Sequence, residues 1–119
     1  MTIRLLNESV STSNSWTIRR KPGGYAEVTG RFSFNATASS SKGNVYYGTI
    51  SLQNLPIKFS ETPACFLYTP TWPFWLSGGD VSANSNTPAT VYILTPQSVS
   101  SSTSVVVCVK YIGLEASSS

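Results

Sequence analysis

The chain contains no histidine. That absence excludes a Ser-His-Asp arrangement, whose base is an imidazole, and removes the commonest metal ligand. Two cysteines, Cys65 and Cys108, cannot build an ordinary zinc site without histidine partners. Asp80 beside Gly78-Gly79 and Asn84 is a single carboxylate. A calcium cage takes about six to eight oxygens, several of them carboxylates. No metal and no cofactor are expected.

Charge is scarce as well. Charged residues make up 11% of the 119, against about a quarter in an average globular chain. The formal net charge is +3, from eight Lys and Arg and five Asp and Glu. The one basic run, Arg19-Arg20-Lys21, adjoins a Pro-Gly-Gly turn and reads as a solvated hairpin end. Phosphate binding needs a longer, more evenly spaced set of cations, so nucleic acid is not expected as a partner. No stretch approaches the roughly 18 apolar residues of a membrane span. Met1 to Asn7 is too short in apolar residues for a signal peptide.

Hydrolytic equipment is equally thin. Glycoside hydrolysis needs two carboxyl groups flanking one bond. The five available are Glu8, Glu27, Glu61, Asp80 and Glu115. Glu8 and Glu115 lie near the ends, Glu27 points off the core face of a strand, and Glu61 and Asp80 sit in separate loops. A serine nucleophile without histidine would need a lysine base, and none is expected. The chain is read as a non-enzyme.

What is present is β-forming. Fourteen aromatics (three Trp, six Tyr, five Phe) and many β-branched residues can bury a sizeable core. Strands are predicted at 16–20, 25–34, 45–52, 64–69, 90–95 and 104–112. Residues 26, 28, 30, 32 and 34 share one face, the period of two that marks a half-buried strand. The segment 55–59 is proline-broken and reads as an edge strand or an extended crossing. Residues 35–44 and 81–88 read as polar loops. Turn signals recur roughly every 8–12 residues. The expected fold is all-β, an antiparallel β-sandwich of jelly-roll type. Its bounds are 16–114, after a lead-in of 1–15 and before a polar tail of 115–119. Cys65 and Cys108 both lie in apolar strands. Two buried free thiols are the favoured reading, and a disulfide would require matched neighbouring strands.

One set of residues carries a family likeness. Trp16, Arg20-Lys21, Gly24, Ala26-Glu27 and Gly30 follow the pattern W-x-x-x-R-K-x-x-G-x-A-E-x-x-G. Tyr47-Gly48, Leu55-Pro56, Trp75, Ile93-Leu94-x-Pro96 and Val105-x-Val107-x-Val109-x-x-Ile112-Gly113 come later. In order and spacing this resembles the C-terminal head domains of tail-fibre and minor structural proteins from phages and prophages of Gram-positive and gut bacteria. The likeness spans roughly residues 16–114. It implies a homotrimeric virion head that attaches to a host cell-surface polysaccharide, made in the host cytoplasm and assembled with other virion proteins. It supplies no ligand residues to carry over, and the shared Trp, Gly and Pro positions read as scaffold. The alternatives are a purely structural virion component, such as a capsid decoration or tail-assembly protein, and a small non-phage lectin.

Sugar rings stack on exposed aromatic faces while short polar groups meet their hydroxyls. Trp72, between two prolines, is the best exposed candidate. Tyr46, Tyr47 and Asp80 are the other ligand-binding candidates. Two of Trp72, Phe74 and Trp75 are expected in the core. Ile3, Leu5 and Leu6 are the candidates for an oligomer contact.

Overall fold

The structure is a computed structural model and describes residues 9–13 and 15–116. Ile3, Leu5 and Leu6 lie outside the described residues. Nine strands and no helix are present among those described. Five form one antiparallel sheet in the order β1-β2-β3-β9-β6. These are β1 Ser9–Ser13, β2 Trp16–Arg20, β3 Tyr25–Ala38, β6 Ala64–Tyr68 and β9 Val99–Leu114. The other four are β4 Ser40–Lys42, β5 Val45–Ile50, β7 Trp75–Gly78 and β8 Val91–Thr95. They form a second antiparallel sheet in the order β4-β5-β8-β7. The two sheets pack together, a sandwich-like all-β arrangement.

The spine is the long pair β3 and β9, in register from Tyr25↔Leu114 to Ala36↔Thr103, with an irregularity before Ala38. Period-two patterning sends Ala26 and Val28 of β3 and Val105, Val107, Val109 and Tyr111 of β9 into the core. Val91, Ile93 and Thr95 of β8 face them from the second sheet, with Ile50 of β5. Trp16 is fully buried, and its Nε1–H donates to the Asn54 carbonyl at 3.1 Å. Its ring meets Phe32 edge-on at 4.9 Å, the arrangement aromatic quadrupoles favour.

The segment 51–63 forms no strand and crosses from one sheet to the other. It buries Leu52, Leu55, Ile57 and Phe59. Part of its backbone is paired with the equally irregular segment 79–90, and part with the chain at Leu114 to Ala116. Leu55 N–H donates to Asn86 O, and Asn84 N–H donates to Phe59 O, both at 2.7 Å. The crossing expected at 55–59 is present, but it bends at Pro56-Ile57 instead of running extended, and Phe59 is bridged to Glu115.

Several boundaries differ from expectation. Residues 9–13, read as polar lead-in, form β1 along the whole of β2. Residues 35–38 extend β3, and 40–42 form β4, so the expected loop 35–44 shrinks to a turn at Gly43-Asn44. β9 starts at Val99, not 104. Long-range pairing with β3 overrides the weak strand preference of Asn, Ser and Ala here.

Cys65 and Cys108 are both free. Cys65 pairs with Tyr111, so the two thiols are three residues out of register on neighbouring strands. An odd offset puts them on opposite faces of the sheet, and no disulfide can close. The basic run at 19–21 is tied down. Arg20 grips Glu115 with two hydrogen bonds, at 2.8 and 3.1 Å, and Lys21 lies 3.9 Å from Glu27.

Candidate functional site

The outward face of the four-stranded sheet carries a band of aromatic and aliphatic side chains. Its origin is strand alternation. Val91, Ile93 and Thr95 point inward, so Tyr92 and Leu94 point out. On β5, Gly48 and Ile50 share the inward parity, leaving Val45, Tyr47 and Thr49 outward. Register then sets a row. Leu94 pairs with Tyr47 on one side and Trp75 on the other. Tyr92 pairs with Thr49 and Ser77 in the next outward row. The Tyr47 and Tyr92 rings meet edge-on with centroids 6.0 Å apart.

Trp75 is 45% exposed and Tyr92 42% exposed. Two such rings left half in water on one sheet face form an adhesive surface rather than a core plug. A shallow trough of about 320 Å³ runs beside them, lined by Lys42, Val45, Tyr47, Tyr92 and Leu94. Among the described residues, Lys42 is the only formally charged group lining it. The face offers flat apolar surface, phenol hydroxyls and almost no formal charge.

Trp72 stands apart from this row but at the same end of the molecule. It lies in the turn before β7, with a cis peptide to Pro73, and is 89% exposed. The turn is pinned from both sides. Thr71 N–H donates to Thr69 Oγ1, and Val106 N–H donates to Thr71 Oγ1, each at 3.1 Å. Phe74 N–H donates to Thr71 O, also at 3.1 Å, and the Phe74 ring is buried. Of the three aromatics here, only Phe74 enters the core. The expectation of two core rings fails because Trp75 takes the outward parity of its strand.

The four sequence candidates are only partly brought together. Tyr47 belongs to the band, and Trp72 stands at the same end. Tyr46 pairs with Thr95 but shares the inward parity of Gly48 and is half-buried. Asp80 is exposed at the other end of β7. Three residues of strand, about 10 Å, and the Gly78-Gly79 turn separate it from Trp75. Asp80 instead lies near a buried polar cluster. Tyr111 O–H and Cys65 S–H both donate to the Gly79 carbonyl, the latter at 3.7 Å. Burial pushes the Tyr111 phenol far above its ordinary range, with Cys65 and then Asp80 adding to it. Burial also raises the Cys65 thiol, against the opposing hydrogen bond with Tyr111. These groups stay neutral and structural.

Trp75, Tyr92, Leu94 and Lys42 were not among the sequence candidates. The alternation Val91-Tyr92-Ile93-Leu94 carries the signal for Tyr92, since a buried strand with one face in the core must turn its even residues outward. Ser39-Ser40-Ser41-Lys42 has the S-x-x-K spacing of a serine–lysine catalytic pair. On a helix that spacing brings the two side chains together. Here Ser39 lies between β3 and β4 and Lys42 ends β4, so no helix turn brings serine and lysine together.

The outward face of the five-stranded sheet differs. Glu27 is bridged by Lys110 at 3.2 Å, and Arg31 Nη1–H approaches Cys108 Sγ at 3.5 Å. Phe66 and Tyr68 are exposed on the edge strand β6. Compared with models of protein families, with curated proteins and with solved structures, the chain matches none.

Proposed function

We propose that this chain is the head domain of a phage tail fibre or baseplate appendage that binds a host cell-surface glycan without catalysis. The carrying observation is the uncharged aromatic band of Tyr47, Tyr92, Leu94 and Trp75, with Trp72 at its end. A pyranose ring has one apolar C–H face, which suits half-exposed aromatic rings. Its hydroxyls suit the tyrosines and the serine- and threonine-rich surroundings. The likeness at residues 16–114 supplies the virion context, a homotrimer among other virion proteins.

We also read the topology as jelly-roll type. β3 pairs with β9 in one sheet and β5 with β8 in the other, and β6 and β7 add beside β9 and β8. That nesting is what one long hairpin makes when wound around a barrel axis. In this reading β1 and β2 extend one sheet at its edge.

A second reading is a purely structural virion component. Phe66 and Tyr68, exposed beside the free edge of β6, favour it, because exposed apolar surface also serves subunit contact. One experiment separates the two. Labelled protein is added to a panel of Gram-positive and gut bacterial cells, with Trp72→Ala and Trp75→Ala beside the parent. Attachment by the parent and its loss in folded variants is the expected result. Attachment to virions or tail structures but to no cell would favour the structural role. Attachment by a protein that light scattering finds monomeric would favour a lectin over a trimeric head.

A further inference from the structure

A second trough adjoins the aromatic one, and Tyr47 lines both. Its volume is about 400 Å³. It opens where β4 stops short, since the ladder between β4 and β5 covers only Val45 to Tyr47. The end of β3 crosses β5 there at close range. A Cβ on Gly48 would overlap the Thr37 carbonyl, so only glycine permits the crossing. The wall is made of Asn35, Thr37, Ser39, Ser40, Thr49 and Ser102 with the Tyr47 ring. Every one of those six carries a hydroxyl or an amide, and none is ionisable at neutral pH.

The two troughs thus differ in kind while sharing Tyr47. One offers apolar stacking surface, and the other offers neutral hydrogen-bonding groups. From this juxtaposition we propose that the ligand is an uncharged oligosaccharide of at least two sugar units that straddles Tyr47. One unit stacks in the trough of Tyr92 and Leu94. The next is held through its hydroxyls by the serine, threonine and asparagine wall. The inference deepens the glycan-binding reading above and rests on it. The chemistry argues against an acidic polymer. A carboxylated or phosphorylated chain would bury charge against a wall that carries no cation, and Lys42 lies only on the stacking side.

The test uses neutral malto-, cello- and chito-oligosaccharides of one to four units, with oligogalacturonate and poly(glycerol phosphate) as anionic probes. Binding to the full chain is followed by ligand-observed NMR. A neutral di- or trisaccharide is expected to bind at least tenfold more tightly than its monosaccharide. Tyr47→Ala should weaken it at least tenfold. Ser40→Ala should reduce disaccharide binding severalfold and leave the monosaccharide unchanged, a contrast that misfolding cannot produce. Preference for poly(glycerol phosphate), which carries no sugar ring, would overturn both this inference and glycan binding. Preference for oligogalacturonate, or no gain from a second unit, would overturn the inference while leaving glycan binding intact. The same holds if Tyr92→Ala abolishes binding but Ser40→Ala affects neither ligand. No binding to any probe would overturn both.

Discussion

The outward faces of the two sheets are built by the same alternation and end up with different chemistry. On the five-stranded sheet, several charged side chains are paired. Glu27 sits with Lys110 and Lys21, and Arg20 with Glu115 at its end. The exposed rings of this face, Phe66 and Tyr68, line a trough of about 260 Å³ that they share with Lys110. On the four-stranded sheet, the outward positions of β5, β7 and β8 hold Tyr47, Trp75, Tyr92 and Leu94. Their apolar surface is left facing water. Exposure alone does not separate the two faces, since Phe66 and Tyr68 on the first are exposed as well; what separates them is how much formal charge stands beside the exposed rings.

The comparison rests on a core both sheets share, so the largest effect comes from breaking that core. Trp16→Ala removes a fully buried ring and its hydrogen bond to Asn54. A loss of about 3–5 kcal/mol is expected in urea unfolding. A loss below about 1 kcal/mol would mean that Trp16 is not the plug described.

Alkaline pH acts next, through the cluster at Gly79. Tyr111 and Cys65 are neutral acids whose folded pKa values lie above the unfolded ones. As pH rises, the unfolded chain loses these protons first, so stability falls. The contribution is complete well below about pH 8.5, where an ordinary thiol is half ionised, and fades further beyond about pH 10, the ordinary phenol value. The urea midpoint should drop between about pH 8 and 11, a span that brackets both ordinary values. Tyr111→Phe should flatten the drop, and a midpoint unmoved up to about pH 11 would contradict the assignment.

Gly48→Ala attacks the crossing of β3 over β5 on the side of the four-stranded sheet. The added methyl meets the Thr37 carbonyl, a backbone atom that cannot swing aside. Overpacking of this kind costs about 1–3 kcal/mol. Destabilisation together with weakened sugar binding is expected, whereas parent-like stability would show that the crossing is loose.

Trp75→Ala and Tyr92→Ala sharpen the contrast. Each loses cross-strand contacts of about 0.2–1 kcal/mol, yet glycan attachment should fall at least tenfold, about 1.4 kcal/mol. Equal loss of stability and binding would make these rings structural.

Glu27→Gln is the counterpart on the other sheet. Its two lysines are nearly half exposed, so about 0.2–1 kcal/mol is expected, shrinking in high salt. Sugar binding should not change. A binding loss here would move the site to the five-stranded sheet.

Much of the architecture is legible in the residues. The alternation at Ala26 to Phe34 and at Val105 to Val109 announces half-buried strands, and the glycine and proline punctuation announces their turns. What stays hidden is carried by pairing between distant segments. Ser9 to Ser13 and Ser100 to Ser104 have poor strand preference and become strands only because β2 and β3 offer open ladders. The site is half legible for a related reason. Trp72 stands out by its two prolines. The row Trp75-Leu94-Tyr47 joins residues 19 to 47 positions apart, and only the register of β7 and β5 on β8 assembles it. Asp80 shows the converse. It follows Trp75 closely in sequence, but β7 carries it to the opposite end.

The most direct test is to map backbone amide shifts on titration with a neutral trisaccharide. The account predicts perturbations centred on Tyr47, Thr49, Tyr92, Leu94 and Trp75, with Phe66, Tyr68 and Lys110 silent. Shifts confined to the Phe66 and Tyr68 face, or none at saturating sugar, would contradict it.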